Sequence, residues 1–414
     1  MRRLISLCAL AAILISASDI AWGQQEGNSN EWKESTPESQ GMDSTDLGNL
    51  LQYIYKYEGM DSLLIVRHGK LILETYNYPY SRDKEHILNS VTKSVVSGLV
   101  GIAIDRGYLA NDRNTILDWF PEAAKSNRYS MNSPIEVRDL LSMTSGIDWS
   151  QYGRDNVSTR MGQSSNWIQF ILDRPMAAEP GSRSNYSNGD AHLLSAIIQR
   201  STGEDTLEFA SKVLFKPLGI RKPRWDRDPQ GINIGSAAMY MAPRDMAKLG
   251  QLYLDDGNWN GMPVIPADWV RKSLQRHTGI EISAGVADYG YFWWLYPKFD
   301  MAEAWGSAGQ RIAVFRNLDL VVVLTGSIPD DAPVTSLSKE IYRRIRKAVK
   351  APSALPENTQ ASAEVQRWID QAAQPHEPHG HWRAAVAAGG VALVLGIALL
   401  LLRRAWAHSQ SSQG

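Results

Sequence analysis

The chain has 414 residues, with 43 basic and 44 acidic side chains and a formal net charge of −1. This length allows one large domain or two, with an ample apolar core, and the balanced charge gives no reason to expect a nucleic-acid partner. Cys8 is the only cysteine, so the sequence excludes an internal disulfide, a thiol nucleophile and a cysteine-based metal site.

Residues 1–23 have the pattern of a secretory signal peptide. Two arginines precede an apolar run over residues 4–17, and Ala21-Trp22-Gly23 offers small residues for cleavage. An N-terminal membrane anchor is the alternative, but the run is shorter than the ~20 residues of a spanning helix. Residues 24–36 are polar and are predicted to form a loose segment.

The folded domain is predicted to begin near residue 37. Asp43 or Ser44 is placed to cap a helix that carries apolar residues at positions 47, 50, 51 and 54. Two apolar strands then flank His68-Gly69, which predicts a hairpin with a two-residue turn. His68 is therefore interpreted as a turn residue and not as a catalyst.

The stretch Ser90-Val91-Thr92-Lys93 opens a helix that is apolar nearly all round and is predicted to be buried. Positions i and i+3 share a helix face, so the Ser90 hydroxyl and the Lys93 amine can meet. A serine needs a base to become a nucleophile, and a lysine in an apolar setting can lose its charge and serve as that base. A capping serine followed by an unrelated lysine is the alternative. Gly98 and Gly101 predict that other elements pack closely on this helix.

Two later stretches carry related chemistry. Tyr186, near a lysine, can act as general acid or base, and the amide of Asn188 can orient a lysine or a substrate carbonyl. The run Trp305-Gly306-Ser307-Ala308-Gly309 precedes a strand, so a backbone N–H there, paired with that of Ser90, would form an oxyanion hole. Each stretch also has a purely structural interpretation, as core, turn or hairpin.

Other hydrolase signatures are absent from the sequence. It contains neither Gly-x-Ser-x-Gly nor His-Glu-x-x-His. His376, His379 and His381 lie in a segment that would not hold them in a fixed geometry, so no metal site is predicted.

The end of the chain predicts a membrane anchor. After strands and a basic helix at about 338–349, residues 351–383 become rich in Ala, Pro, Gln, Glu and His and are predicted to be a linker. Residues 384–402 are uncharged and apolar, which predicts a transmembrane helix. Arg403-Arg404 follows, so residues 403–414 are predicted to be a cytoplasmic tail. The domain is expected in the periplasm, anchored in the inner membrane; a tail that is cut off during export is the alternative.

In their order, these motifs resemble those of the serine β-lactamase and penicillin-binding protein superfamily. More narrowly, they resemble its class C-like branch, with the carboxylesterases and aminohexanoate-oligomer hydrolases. Ser90-Val91-Thr92-Lys93 and Tyr186-Ser187-Asn188 are similar to the first two motifs of that family. Residues 137–146, 289–294 and 306–310 are also similar to stretches of that branch, and the resemblance covers roughly residues 35–350.

The resemblance implies an α+β fold for residues 37–350: an antiparallel sheet flanked by helices, with an inserted, mostly helical subdomain. It implies that Ser90 is the nucleophile, Lys93 its base and Tyr186 the second acid/base. The backbone N–H groups of Ser90 and Ser307 would form the oxyanion hole. Substrate contacts are expected at Asn188, Trp305 and Gly306, and no metal or organic cofactor is implied.

The third motif departs from the family. It is commonly Lys-Thr-Gly or His-x-Gly, whereas Ala304 and Trp305 precede Gly306 here. The cation that would bind the carboxylate of a β-lactam or peptide is missing, unless an arginine such as Arg311 supplies it. An ester or amide hydrolase acting on a small acyl substrate is therefore expected ahead of a β-lactamase or a peptidoglycan-directed DD-peptidase.

A catalytically silent, membrane-tethered ligand-binding domain is the alternative outside the enzymes. The intact set of Ser90, Lys93 and Tyr186 argues against it. The sequence leaves the oligomeric state open.

Overall fold

The computed structural model describes residues 31–57, 59–126, 134–151, 156–282, 285–328 and 334–375. The strands are β1 (Met60–Arg67), β2 (Lys70–Tyr76), β3 (His86–Ile87), β4 (Arg224–Trp225), β5 (Met239–Met241), β6 (Asn258–Trp259), β7 (Met262–Pro263), β8 (Thr278–Ile282), β9 (Gly285–Tyr289), β10 (Trp294–Tyr296), β11 (Met301–Trp305), β12 (Arg311–Phe315) and β13 (Leu320–Gly326). The helices are α1 (Ser44–Tyr55), α2 (Val91–Asp105), α3 (Val137–Leu141), α4 (Val157–Gln163), α5 (Trp167–Leu172), α6 (Asn188–Thr202), α7 (Thr206–Ala210), α8 (Pro243–Leu254), α9 (Ala267–Ser273), α10 (Val334–Ala348) and α11 (Thr359–Ala372).

Within these described ranges, eight strands form the main sheet in the order β2-β1-β13-β12-β11-β10-β9-β8. Every neighbouring pair is antiparallel. The hairpin β1–β2 therefore pairs with β13, the last of these described strands. The segment between β2 and β8, which contains α2 to α9, is inserted in the chain between the two parts that form the sheet. This arrangement confirms the predicted α+β fold.

The start of the domain follows local sequence signals. Asp43 caps α1, because its carboxylate accepts a hydrogen bond from the N–H of Asp46 at 3.0 Å. His68 and Gly69 both adopt positive φ angles, 50° and 67°, as a tight hairpin turn requires. Both predictions are confirmed, including the turn role of His68.

The sheet separates two apolar cores. On β13, Val322 and Leu324 face the layer formed by α1, α10 and α11, whereas Val321 and Val323 face the opposite core, which includes α2 and α8. Side chains alternate between the faces of a strand, so a strand that is buried on both faces reads as a continuous apolar run.

Helix α2 lies inside the second core, and its glycines allow close packing as predicted. A Cβ atom added to Gly101 would overlap the indole ring of Trp269, and one added to Gly98 would lie 3.0 Å from Ile265 Cδ1. The helix ends before Gly107, whose φ is 75°.

The aromatic-rich sequence of residues 289–295 predicts one strand, and this prediction is wrong. They are divided between β9 and β10 by a turn in which the Gly290 N–H donates to the Trp293 carbonyl at 2.8 Å and Phe292 has a φ of 63°. Gly290 permits the turn because a Cβ there would overlap the Ser273 carbonyl oxygen.

The prediction that residues 24–36 form a loose segment is wrong for residues 32–35. Leu71 of β2 accepts from the Ser35 N–H at 3.0 Å and donates its own N–H to the Lys33 carbonyl at 2.9 Å. Trp32 donates its indole N–H to the Arg244 carbonyl at 3.1 Å. These contacts join residues 32–35 to the edge of the sheet and to α8, which a polar composition does not reveal.

The linker predicted over 351–383 is also corrected, because its middle forms α11. Asn358 caps this helix, and Trp368 packs on Tyr55 of α1 with ring centroids 5.6 Å apart. The Tyr78 N–H donates to the Ala372 carbonyl at 2.8 Å. The composition of residues 351–383 did not indicate this amphipathic helix, whose apolar side covers α1.

The predicted signal peptide over 1–23, transmembrane helix over 384–402 and tail over 403–414 lie outside the described residues, as do the histidines of 376–381. No helix in the part of the chain that the structure describes is long and apolar enough to cross a membrane. The same part contains no cluster of His, Cys, Asp or Glu that could hold a metal ion.

Candidate active site

Ser90 and Lys93 meet at the start of α2, as their spacing predicts. Lys93 Nζ donates to Ser90 Oγ at 2.8 Å. Ser90 has helical backbone angles, φ −70° and ψ −6°, and its side chain makes no capping hydrogen bond. The hydroxyl is therefore directed to the lysine and not to the helix end, which rules out the capping interpretation.

Lys93 is held in an apolar environment. It is 1% exposed, and burial lowers the pKa of its ammonium group to about 7. Its second hydrogen bond goes to the Ser236 carbonyl at 2.9 Å. A lysine in this state can exchange a proton with Ser90 near neutral pH.

Sequence reasoning did not find Ser236, because a backbone carbonyl contributes through its position and leaves no motif. The loop that carries it is held against α6. The Gly235 N–H donates to His192 Nδ1 at 3.4 Å, and a Cβ on Gly235 would overlap the Ala191 carbonyl oxygen. His192 in turn lies 3.0 Å from the carboxylate of Asp228.

Tyr186 lies beside the same lysine. Its ring centroid is 5.0 Å from Lys93 Nζ, and it stacks on Trp294 with centroids 5.9 Å apart and an interplanar angle of 22°. The half-buried ring immediately precedes the N-terminal cap of α6. The structure thus brings the second predicted stretch to the first.

The third stretch reaches the site at the end of β11. Gly306 lies so close to the start of α2 that an added Cβ would overlap the Leu88 carbonyl and lie 3.2 Å from the Ser90 nitrogen. Asn89 Nδ2 donates to the Ser307 carbonyl at 3.0 Å. Gly306 and Ser307 are therefore neighbours of the Ser90 backbone, where an oxyanion hole would lie.

Asn188 is not placed where it could orient the lysine. It is the first residue of α6, and its Nδ2 donates to Ser158 Oγ at 3.2 Å. Its Oδ1 is buried and has no hydrogen-bond partner within the described part of the chain. The two hydrogen bonds of Lys93 go instead to Ser90 and Ser236.

Neither Ala304 nor Arg311, which lie on either side of residues 305–309, presents a charge to the site. Ala304 is fully buried and Arg311 is 1% exposed. Arg311 Nε lies 3.1 Å from Glu303 Oε1, and its guanidinium carbon lies 4.7 Å from the centre of the Trp305 ring. Arg311 is thus committed to a buried ion pair and does not replace the missing substrate-binding cation.

Three aromatic rings form a continuous wall beside the site. Trp305 contacts Trp294 with centroids 5.1 Å apart, and Trp294 stacks on Tyr186. Trp294 is 5% exposed, so the half-buried Tyr186 and Trp305 are the rings of this set that can offer an apolar surface to a neutral substrate group.

The chain is similar to known proteins of one family. Residues 55–336 match the family model of the β-lactamases. A 6-aminohexanoate-dimer hydrolase of Paenarthrobacter ureafaciens is 25% identical over 293 residues, which cover 65% of this chain and 73% of that protein. Esterase EstB of Burkholderia gladioli is 28% identical over 177 residues, 38% of this chain and 45% of the esterase.

A solved structure also shares the fold. The penicillin-binding protein homologue of Pyrococcus abyssi superposes with a TM-score of 0.60 at 20% identity, covering 75% of this chain and 79% of that one. The family match spans more than half of the chain and contains Ser90, Lys93, Tyr186 and Ser307. The protein is therefore a serine hydrolase that belongs to the β-lactamase family.

Proposed function

We propose that the protein hydrolyses an ester or amide bond of a small acyl substrate through an acyl-enzyme on Ser90. The observation that carries this proposal is the 2.8 Å contact between Ser90 Oγ and the Nζ of the buried Lys93. Because burial lowers the pKa of Lys93 to about 7, a large share of the amine is neutral at neutral pH and can accept the serine proton.

In the acylation step, Lys93 Nζ takes the proton of Ser90 Oγ while the oxygen attacks the substrate carbonyl carbon. The new C–O bond turns the carbonyl oxygen into an oxyanion, which the N–H groups of Ser90 and Ser307 stabilise. When this intermediate collapses, the bond to the leaving alcohol or amine breaks and the leaving group takes up a proton. Tyr186, beside Lys93, delivers that proton and takes up the one that Lys93 removed from Ser90, so both groups return to their starting states.

In the second step, water attacks the acyl carbon. The same basic groups remove a proton from the water, the bond to Ser90 Oγ breaks, and the serine recovers its proton as the acid leaves. The proton removed from water is the one that Ser90 Oγ recovers, so Ser90, Lys93 and Tyr186 end the cycle in the states in which they began it, without a redox change.

The substrate class follows from charge. A carboxylate in a semi-enclosed site needs a positive partner, and a charge-assisted contact contributes roughly 1.5–3 kcal/mol, which is about one to two powers of ten in rate or affinity. Ala304 supplies no charge, and Arg311 is turned toward Glu303. The Trp305 side instead offers an apolar surface, so neutral acyl or aryl groups are favoured.

We therefore expect p-nitrophenyl butyrate to have a higher kcat/KM than a chromogenic cephalosporin, by about ten-fold or more. The measurement compares both substrates on wild type and on Ala304→Lys. The variant should lose stability, because a lysine replaces a fully buried methyl group, so its rates are compared per mole of enzyme that a fluorophosphonate labels. Efficient cephalosporin hydrolysis by wild type would contradict this preference and favour a β-lactamase.

We also propose that the enzyme is exported and held at the inner membrane by residues 384–402. The apolar sequence of that segment and the arginines after it support the proposal. A reporter fused after Gly414 should be active in the cytoplasm, and deletion from Ala384 onward should release active enzyme from the membrane fraction. Full-length protein recovered in the cytoplasmic soluble fraction would contradict it. A mature C-terminus without the segment, detected by mass spectrometry, would contradict a permanent anchor.

A further inference from the structure

Arg311 connects a buried ion pair to the backbone of the candidate oxyanion hole. Its Nη1 donates to the Gly306 carbonyl at 2.6 Å and to the Gln310 carbonyl at 2.9 Å. Its Nε lies 3.1 Å from Glu303, which also accepts from the Tyr342 hydroxyl at 2.6 Å. The guanidinium is thus held by two backbone carbonyls and the Glu303 carboxylate, whereas Tyr342 contacts only Glu303.

The Gly306 carbonyl and the Ser307 N–H belong to one peptide group. Cis peptide bonds in the described residues occur only at Tyr78-Pro79, so this peptide is trans, and its C=O and N–H point in opposite directions. Because the carbonyl is turned to Arg311, the Ser307 N–H is turned away from it. The strand end itself is fixed beside Ser90 by the close approach of Gly306.

The contact between Arg311 and the Gly306 carbonyl also affects how strongly the Ser307 N–H donates a hydrogen bond. A cation that donates to a carbonyl makes a charge-assisted hydrogen bond, and hydrogen bonds in a chain polarise one another in a medium of low dielectric constant. The Ser307 N–H at the other end of the peptide then carries more positive charge. This charge is in place before the reaction, as oxyanion stabilisation requires.

We infer that Arg311 is a positioning residue that aims and polarises the Ser307 N–H toward the oxyanion. The inference rests on the proposed acyl-enzyme mechanism. Arg311 does not reach the substrate, because it is 1% exposed and lies against the Trp305 ring. Its loss should therefore lower kcat and leave KM nearly unchanged.

The test compares the double variant Glu303→Gln/Arg311→Gln with Glu303→Gln alone. The double change removes both charges together, so no unpaired charge stays buried, whereas the single change leaves Arg311 on the Gly306 carbonyl. With p-nitrophenyl butyrate, we expect kcat of the double variant to be about 10- to 100-fold below that of the single variant. This decrease is at most comparable to the decrease caused by removing a hydrogen-bond donor of the oxyanion hole itself. KM should change by less than about two-fold, since no substrate contact is removed.

A second readout follows the tetrahedral state directly. Phenylboronic acid forms a tetrahedral adduct with a catalytic serine, and its inhibition constant should weaken by the same factor as kcat/KM. Tyr342→Phe is the control for stability: it removes a hydrogen bond to Glu303 without touching Gly306, so it should lower the melting temperature and keep kcat. Arg311→Lys retains a cation and should recover part of the lost rate.

Equal kcat and equal boronate affinity in the double variant and in Glu303→Gln would overturn the inference. If the double variant does not fold, the same measurements are made on Arg311→Lys. A kcat and a boronate affinity equal to those of wild type in Arg311→Lys would also overturn the inference. A wild-type enzyme that is not labelled at Ser90 by a fluorophosphonate would overturn the acyl-enzyme mechanism itself. Labelling of wild type therefore separates the two failures.

Discussion

Ser90→Ala is expected to abolish turnover and to leave the melting temperature nearly unchanged. The hydroxyl is the attacking group, and loss of a serine nucleophile lowers kcat by on the order of 10⁴–10⁶. Its cost to stability is small, because Ser90 Oγ makes no capping bond and accepts one hydrogen bond from Lys93. The measurement is kcat/KM for p-nitrophenyl butyrate, together with the mass of the fluorophosphonate adduct.

Ser97→Ala is the matched control for this change. Ser97 lies two turns further along α2 and is buried, whereas Ser90 is half-buried, and the Ser97 hydroxyl has no hydrogen-bond partner within the described residues. This variant should keep both the rate and the label. Wild-type rates in purified Ser90→Ala, or an adduct on another residue, would refute the nucleophile.

Lys93→Met should cost nearly as much activity as Ser90→Ala, because a nucleophile and its base act as a unit. In wild type, kcat/KM should rise with pH through an apparent pKa near 7, since Lys93 has its pKa lowered to about that value and must be neutral to take the proton. The residual rate of the variant should not follow that titration. A variant with the wild-type profile would exclude Lys93 as the base.

The same substitution should change how stability depends on pH. The pKa of Lys93 falls from 10.5 to about 7 on folding, so between these values the unfolded chain binds a proton that the folded chain does not. The free energy of unfolding therefore rises with pH across this window, at about 1.4 kcal/mol per pH unit, and below pH 7 this contribution is lost. Lys93→Met removes the rise.

Urea unfolding at pH 6 and pH 9 measures this difference. Between the two values, wild type should gain about 3 kcal/mol relative to Lys93→Met, since roughly two pH units lie above the folded pKa. Other titrating groups contribute equally to both proteins and cancel. The exposed Lys216→Met is the control and should behave like wild type. Parallel stability curves for wild type and Lys93→Met would contradict a lysine that is neutral in the fold.

The features that depend on short-range geometry could be predicted from the sequence. The contact between Ser90 and Lys93 follows from their spacing on a helix. Asp43 caps α1 because its side chain accepts a hydrogen bond from an N–H three residues later. The hairpin follows from two turn residues with positive φ. In each case the interacting groups are at most three residues apart, so the backbone of one element sets their distance. The family resemblance placed Tyr186 and Ser307 in the same site.

The contacts between distant segments could not be predicted from the sequence and follow from the folded structure. The Ser236 carbonyl reaches Lys93 across 143 residues, and α11 covers α1 from far along the chain. Arg311 was a possible substrate contact from sequence, but its side chain points to Glu303 and the Gly306 carbonyl instead. A backbone carbonyl has no residue signature, and the direction of a side chain depends on which buried partner can compensate its charge.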